Sequence, residues 1–428
     1  MNINNSLQAF DKLRLRLAIG YLVIAFMGLI LVVDRSFNLL GLSLVLLSLL
    51  IILRFRDSLP EMSHEIRWLC YLLCANLVLG LLHFVLRQDL FEVVRDPLKL
   101  IGMMPLMLAI AIVRPRPDKL YFGLALGILL AVIVVTYQDQ FLGVDRPGSA
   151  YNPNVFARIV FVSGIVLLTA TIYYHYSRWK KVLMIAGALA AIYSVMLAQS
   201  RGVLLATLPV SLVALTVLAR FWRSESTREV VSMQRKNLIW ILAGILIPLM
   251  VISYQHGVDV GDRYSTAITQ LTEYAEGESR NTSVGVRLEL WYSAWLSFKD
   301  SPLTGIGSEN RKEYLKDLAS RGIIDLEPRH WKNHAHNDYF DNLQRRGLPG
   351  MLFVIGLYGI LFIIYWRALE GGTREQFALS LGGLLTVTAY ATFSITAAPL
   401  WDSETLVFFT VLNAILLGML GFTLEKKQ

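Results

Sequence analysis

The densest chemistry in the chain lies in His334-Ala335-His336-Asn337-Asp338-Tyr339-Phe340. Imidazole has the side-chain pKa closest to neutrality, so His336 could take a proton from a substrate hydroxyl at ordinary pH. Three readings stand side by side. The histidines could be structural. They could hold a metal, His330, His334 and His336 being joined by Asp338 or Asp341, although the H-x3-H-x-H spacing matches no common zinc pattern and no cysteine helps. Or His336 could be a general base whose neighbours orient it.

Arginines form the second group. Arg201 sits between Ser200 and Gly202, where two apolar runs meet. A guanidinium at mid-membrane costs ~2.5–3.5 kcal/mol on insertion scales, so an arginine beside such runs normally has a partner or a task. It is either an interfacial anchor snorkelling to water or a ligand for phosphate, which matches its planar fork of donors. Arg287 opens a helical pattern with Trp291 one turn on, and could instead be a solvated residue or a partner of Glu289 or Asp300. Arg146 and Arg158 bracket Tyr151-Asn152-Pro153-Asn154 and extend the same cationic set.

What must position these groups is a membrane scaffold. Of 428 residues, 55% are hydrophobic and 17% charged, and mean hydropathy is +0.52. Soluble domains carry about a quarter charged residues. Apolar runs of about 17–22 residues recur, long enough to cross a ~30 Å hydrocarbon core, where only helices satisfy the backbone. The expected fold is an all-α polytopic membrane protein with about twelve transmembrane helices. Their expected positions are 17–33, 37–53, 66–86, 98–113, 120–137, 154–175, 182–198, 203–222, 238–254, 350–369, 377–395 and 404–422. The segment Arg87 to Lys99 alternates charge with Leu90, Phe91, Val93 and Val94 and could lie flat at the interface. The first run follows Lys12, Arg14 and Arg16 without a small-x-small cleavage site, so it reads as a retained helix. Cys70 and Cys74, one turn apart, read as buried small hydrophobes.

The net charge of +8 follows membrane orientation rather than nucleic-acid binding, because Lys and Arg collect in alternate short loops. Both termini are expected in the cytoplasm and the polar stretch 254–350 outside. The chain then divides into nine spans over 1–253, an external loop over 254–349 and three spans over 350–428. Within the loop, 262–276 and 286–298 have helical periodicity, and Leu288, Trp291, Trp295 and Phe298 form a stripe expected to pack on a core or a membrane surface.

These residues resemble the O-antigen ligase and O-antigen polymerase superfamily. His336-Asn337-x-Tyr339, followed by Leu343 and Gly347-Leu348-Pro349-Gly350, is similar to the motif closing that family's large periplasmic loop. Ser200-Arg201-Gly202 resembles its Ser-Arg-Gly motif, and Arg287-x-x-x-Trp291 leads as in the family into Ser301-Pro302-Leu303-Thr304-Gly305-Ile306-Gly307. The matching motifs run roughly over 200–350, and a second histidine, His334, precedes the matching one. The resemblance implies a GT-C-like inverting glycosyltransferase of the bacterial inner membrane with a periplasmic active site, acting without metal or cofactor. The donor would be a glycan on undecaprenyl diphosphate, and for a ligase the acceptor would be a sugar hydroxyl of lipid A–core. His336 would be the base, and Arg201 and Arg287 would bind the diphosphate. Arg146, Arg158, Trp291, Asn337 and Tyr339 would line the substrate site. A polysaccharide polymerase or protein O-oligosaccharyltransferase would use the same donor. A transporter of lipid-linked glycan fits less well, because ionisable residues concentrate in the loop rather than at the bilayer midplane.

Overall fold

A computed structural model describes residues 3–90, 92, 95–174, 176–223, 260–276, 280–331, 334–370 and 373–421. Every regular element among them is a helix. The chain opens with α1 (Ile3–Leu29), α2 (Ser36–Arg54), α3 (His64–Arg87), α4 (Pro97–Ile101) and α5 (Met103–Val113). Then come α6 (Asp118–Gln140), α7 (Pro153–Tyr173), α8 (Arg178–Ala198) and α9 (Arg201–Arg223). The polar cap contributes α10 (Val260–Glu276), α11 (Ser283–Asp300) and α12 (Arg311–Ser320), and the chain returns through α13 (Asp338–Ala368), α14 (Arg374–Thr396) and α15 (Ser403–Leu420).

Eight of these, α2, α3, α6, α7, α8, α13, α14 and α15, are long and apolar enough to cross a membrane. This is a polytopic all-α membrane protein. The expected first span is the apolar half of α1, which continues back through its charged start and stops four residues short, at Leu29. The expected fourth span is broken at Gly102 into α4 and α5. The expected eighth is α9, whose apolar part, Arg201–Val217, is short. The expected ninth, 238–254, lies outside the described residues. Enclosure is uneven: α7, α14 and α15 are wrapped by other helices, whereas α2 and α3 bury only a third of their apolar windows. Cys70 is buried as expected, but Cys74 is exposed because only a narrow stripe of α3 packs inward.

Both ends of the bundle are pinned by polar contacts. At one end Arg54 pairs with Asp11 at 2.8 Å, joining the finish of α2 to the start of α1. At the other, Tyr151 donates to the Val33 carbonyl at 3.4 Å. The cap sits on this second end, where α11 packs on α13. It has its own apolar core of Val286, Leu290, Leu315, Leu318, Ile324 and Leu326.

The joint between cap and bundle is a broken helix. Within α13, Gly347 takes φ 65° and ψ −159°, and Pro349 follows. Proline has no N–H, so the Arg345 carbonyl loses its helical donor, and the turn of the chain removes that of Gln344. Both orphaned carbonyls are filled from the cap: Ile306 N–H donates to Gln344 at 2.8 Å and Gly307 N–H to Arg345 at 3.0 Å. In return Leu348 N–H donates to the Pro302 carbonyl at 2.8 Å. Arg87 holds this loop from below, donating to the Ile306 carbonyl at 3.0 Å and the Gly305 carbonyl at 2.5 Å. The two glycine-containing motifs are thus two halves of one joint.

In the segment Arg87 to Lys99 the described carboxylates point inward, with Asp89, Glu92 and Asp96 almost wholly buried. Two adjacent arginines on α13 demand this. Arg345 meets Glu92 at 3.0 Å, Asp96 at 2.7 Å and Asp341 at 2.8 Å, and Arg346 meets Glu92 at 2.5 Å. A guanidinium taken from water without a counter-charge would cost several kcal/mol, so these acids are what allow the joint to be buried. Burial alone would raise the Glu92 carboxyl, but Arg345 and Arg346 hold it well below the usual range.

Candidate active site

The loop before α13 is built so that His336 is presented and its neighbours are fixed. Asn337 caps the helix: its side-chain carbonyl accepts from Tyr339 N–H at 2.9 Å and Phe340 N–H at 3.1 Å. Its amide donates across to the Ile395 carbonyl on α14 at 3.0 Å. Tyr339 donates from its hydroxyl to the Ala391 carbonyl at 3.0 Å. Ala335 is clamped on both sides, its N–H on Asp341 at 3.2 Å and its carbonyl under the Trp291 indole N–H at 2.8 Å. The Trp291 ring also stacks on Phe340, with centroids 5.5 Å apart. Between these clamps His336 takes φ 50°, in the left-handed region that non-glycine residues seldom occupy. Such strain persists where surrounding contacts enforce it and concentrates at functional sites.

The imidazole itself makes no hydrogen bond among the described residues. Its backbone N–H donates to His334 Nδ1 at 3.0 Å, so the His334 proton belongs on Nε2. Burial, and then the Arg287 cation, hold His336 down to about 4, against the opposing pull of Asp402 and Asp341. His334 is lowered to about 3, by burial and then by His336. Both rings are neutral at ordinary pH. His336 can therefore accept a proton rather than having first to lose one.

Arg287 is half-buried on the first turns of α11, which Thr282 caps by accepting from Gly285 N–H at 3.0 Å. Its pKa is lowered, by burial and then by Arg201. Arg201 is exposed where α9 begins, one residue past buried Ser200. Arg287 thus feels both Arg201 and His336, and the three groups from three segments share one electrostatic field. Among the described residues neither arginine has a carboxylate or hydrogen-bond partner. Glu289, the neighbour expected for Arg287, faces away, meeting Arg280 at 3.5 Å and accepting from Asp325 N–H at 3.1 Å. A guanidinium without a carboxylate partner has its fork of donors open to an anion such as phosphate.

The other sequence-selected residues stand behind this centre. Arg146 donates to the carbonyls of Ala198 at 3.1 Å and Gln199 at 3.4 Å and to Asn154 Oδ1 at 3.1 Å, so it closes the end of α8 just before Arg201. Arg158, buried on α7, pairs with Asp402 at 3.0 Å. The polar atoms of Asn337, Tyr339 and Trp291 are taken up by backbone carbonyls and amides, which makes them positioning residues in this arrangement. On α11 the buried face is Gly285, Val286, Glu289, Leu290, Ser293, Ala294 and Ser297, while Trp295 of the aromatic stripe is 43% exposed. Trp295 instead packs against Phe298, with ring centroids 5.3 Å apart.

Sequence reasoning missed the floor of the site. Trp401 and Asp402 come from the turn between α14 and α15, the Trp401 ring 5.8 Å from His334 and the Arg95 guanidinium 3.2 Å above it. Arg311 on α12 reaches Asp341 at 2.6 Å. Nothing in the spacing of Trp401 and Asp402 marks them. The adjacent Arg345 and Arg346, by contrast, directly before a span, could have been matched to the acids of 89–96.

Comparison with known proteins adds an independent finding. A family model described as O-Antigen ligase matches residues 186–355. Over those residues, about two fifths of its length, the chain is similar to that family. An "O-antigen ligase" of Escherichia coli is 25% identical over 225 residues, 51% of this chain and 48% of that protein. The chain therefore spans about half the length of that relative. An "Uncharacterized protein" of Haemophilus influenzae is 20% identical over 377 residues, 88% of this chain and 92% of its own. The ligase-family segment runs from within α8 to the second half of α13 and contains Arg201, Arg287, Trp291, His336, Asn337 and Tyr339. Arg146, Arg158 and Asp402 lie outside it.

Proposed function

We propose that the protein is an inverting O-antigen ligase that moves a glycan from undecaprenyl diphosphate to a sugar hydroxyl of lipid A–core, at the periplasmic face of the inner membrane. The observation that carries this reading is the position of Arg287, within the field of both exposed Arg201 and His336, whose imidazole makes no hydrogen bond among the described residues. The donor diphosphate lies between the two arginines. The acceptor oxygen attacks the anomeric carbon, its proton passes to His336, and the bond from that carbon to the diphosphate oxygen breaks. The electron pair leaves on the diphosphate, where the guanidiniums stabilise the added charge. Asp402 and Asp341 favour the imidazolium that results. Charge bias of the loops supports the orientation, with both termini cytoplasmic and the cap periplasmic.

A diphosphate between the arginines also acts on the base. It cancels the Arg287 field that holds His336 down, so the imidazole becomes more basic once donor is bound. Membrane burial of the lipid tail adds positioning, which lowers the entropic cost of encounter.

The acceptor is decided by incubating purified protein with lipid-linked glycan and either lipid A–core or a second lipid-linked glycan. Glycan on the core is expected. Chain extension on the second lipid-linked glycan would make the protein a polymerase, and movement of lipid without a new glycosidic bond would make it a transporter.

A further inference from the structure

We propose that the end of the bundle opposite His336 holds a site for the phosphate headgroup of an anionic membrane lipid, formed by Lys12, Arg16 and Arg114. A cavity of about 440 Å³ opens there between the start of α1, the short turn Arg56–Ser58 and the end of α5. Lys12, Arg16 and Arg114 line it together with Ser58, Pro60 and Val113. Lys12 and Arg16 lie one helical turn apart and so share a face of α1. None of the three cations has a carboxylate partner among the described residues, although Arg54 nearby is paired with Asp11. Three like charges around a concavity repel one another, and an anion seated between them relieves that repulsion.

The surroundings select a lipid over a soluble anion. Leu13 and Leu17 follow Lys12 and Arg16 by one residue and are 51% and 44% exposed. Tyr21, 60% exposed, is one turn further along. Leu13 and Leu17 make an apolar ridge along α1 beside the cations, and the Lys119 ammonium caps it, 4.1 Å from the Tyr21 ring centroid. A phosphate cradle at the foot of an apolar ridge matches a headgroup with its acyl chain. Basic pockets between membrane helices bind anionic lipids in this way. The site is independent of the transfer reaction at the other end.

The test uses full-length protein in detergent, titrated with phosphatidylglycerol or phosphatidylcholine, with retained lipid counted by native mass spectrometry. Wild type and a control, R67Q/R178Q, are expected to retain phosphatidylglycerol roughly tenfold or more over phosphatidylcholine. K12Q/R16Q/R114Q is expected to lose that preference. Should the triple variant fail to fold, K12Q and R16Q are read singly, each lowering the preference. Unchanged retention by the variants would overturn the site. Displacement of the lipid by millimolar inorganic phosphate alone would overturn its assignment to a lipid.

Discussion

His336 carries two instructions at once. Its backbone is held at φ 50° and its ring is kept neutral, first by burial and then by the Arg287 cation. Removing that cation leaves burial in place, so in Arg287→Gln the imidazole pKa should rise from about 4 but stay below its ordinary 6.5. Adding a diphosphate donor to wild type should move it the same way. Histidine-selective NMR reads both, and an unmoved resonance in Arg287→Gln would show that the two groups do not interact. A stability consequence carries its own sign. The folded value is lowered, so between pH 6.5 and about 4 the unfolded chain binds more protons, and stability falls as pH falls through that window. Melting temperature in detergent should drop across it, and His334→Gln/His336→Gln should flatten the slope.

At the scale of elements, the decisive feature is the joint at Gly347. Gly305 has φ 61°, and a Cβ there would stand 2.4 Å from the Arg345 backbone. One on Gly347, φ 65°, would stand 2.5 Å from the Pro302 carbonyl. Gly305→Ala or Gly347→Ala should each destabilise by about 1–3 kcal/mol or more and lower transfer by shifting α13 and the His336 loop together. Thermal melting and initial rates check this, and a variant with normal values in both would show the joint to be unnecessary. Buried charge gives a second case. Glu92→Gln strips Arg345 and Arg346 of a shared counter-ion, and a cost of ~3–5 kcal/mol is expected in denaturant or thermal unfolding. A change below about 1 kcal/mol would mean the network tolerates the loss.

For the whole molecule, hydropathy made the spans legible because each apolar run must find its own hydrogen bonds as a helix. The 286–298 pattern likewise became α11, with Thr282 as its cap. What stayed hidden was pairing across distance. Glu92 and Arg345 are 253 residues apart, and no local period reports that contact. The inward turn of Asp89, Glu92 and Asp96 was hidden for this reason, since charges alternating with apolar residues look amphipathic until their buried partners are known. The site was half legible: His336, Arg201 and Arg287 could be named from motif chemistry, while Asp402 and Trp401 reach it only through the packing of α14 and α15 around α7. Roles also sharpened. Asn337 and Tyr339 mark the register of His336 because they pin its loop to α14.

The most direct measurement compares donor binding with single-turnover transfer in His336→Ala, using purified protein, lipid-linked glycan and lipid A–core. Donor binding should persist, because Arg201 and Arg287 are intact, while transfer should fall about 10²–10⁴-fold. Transfer at the wild-type rate would contradict the assignment of His336 as the base.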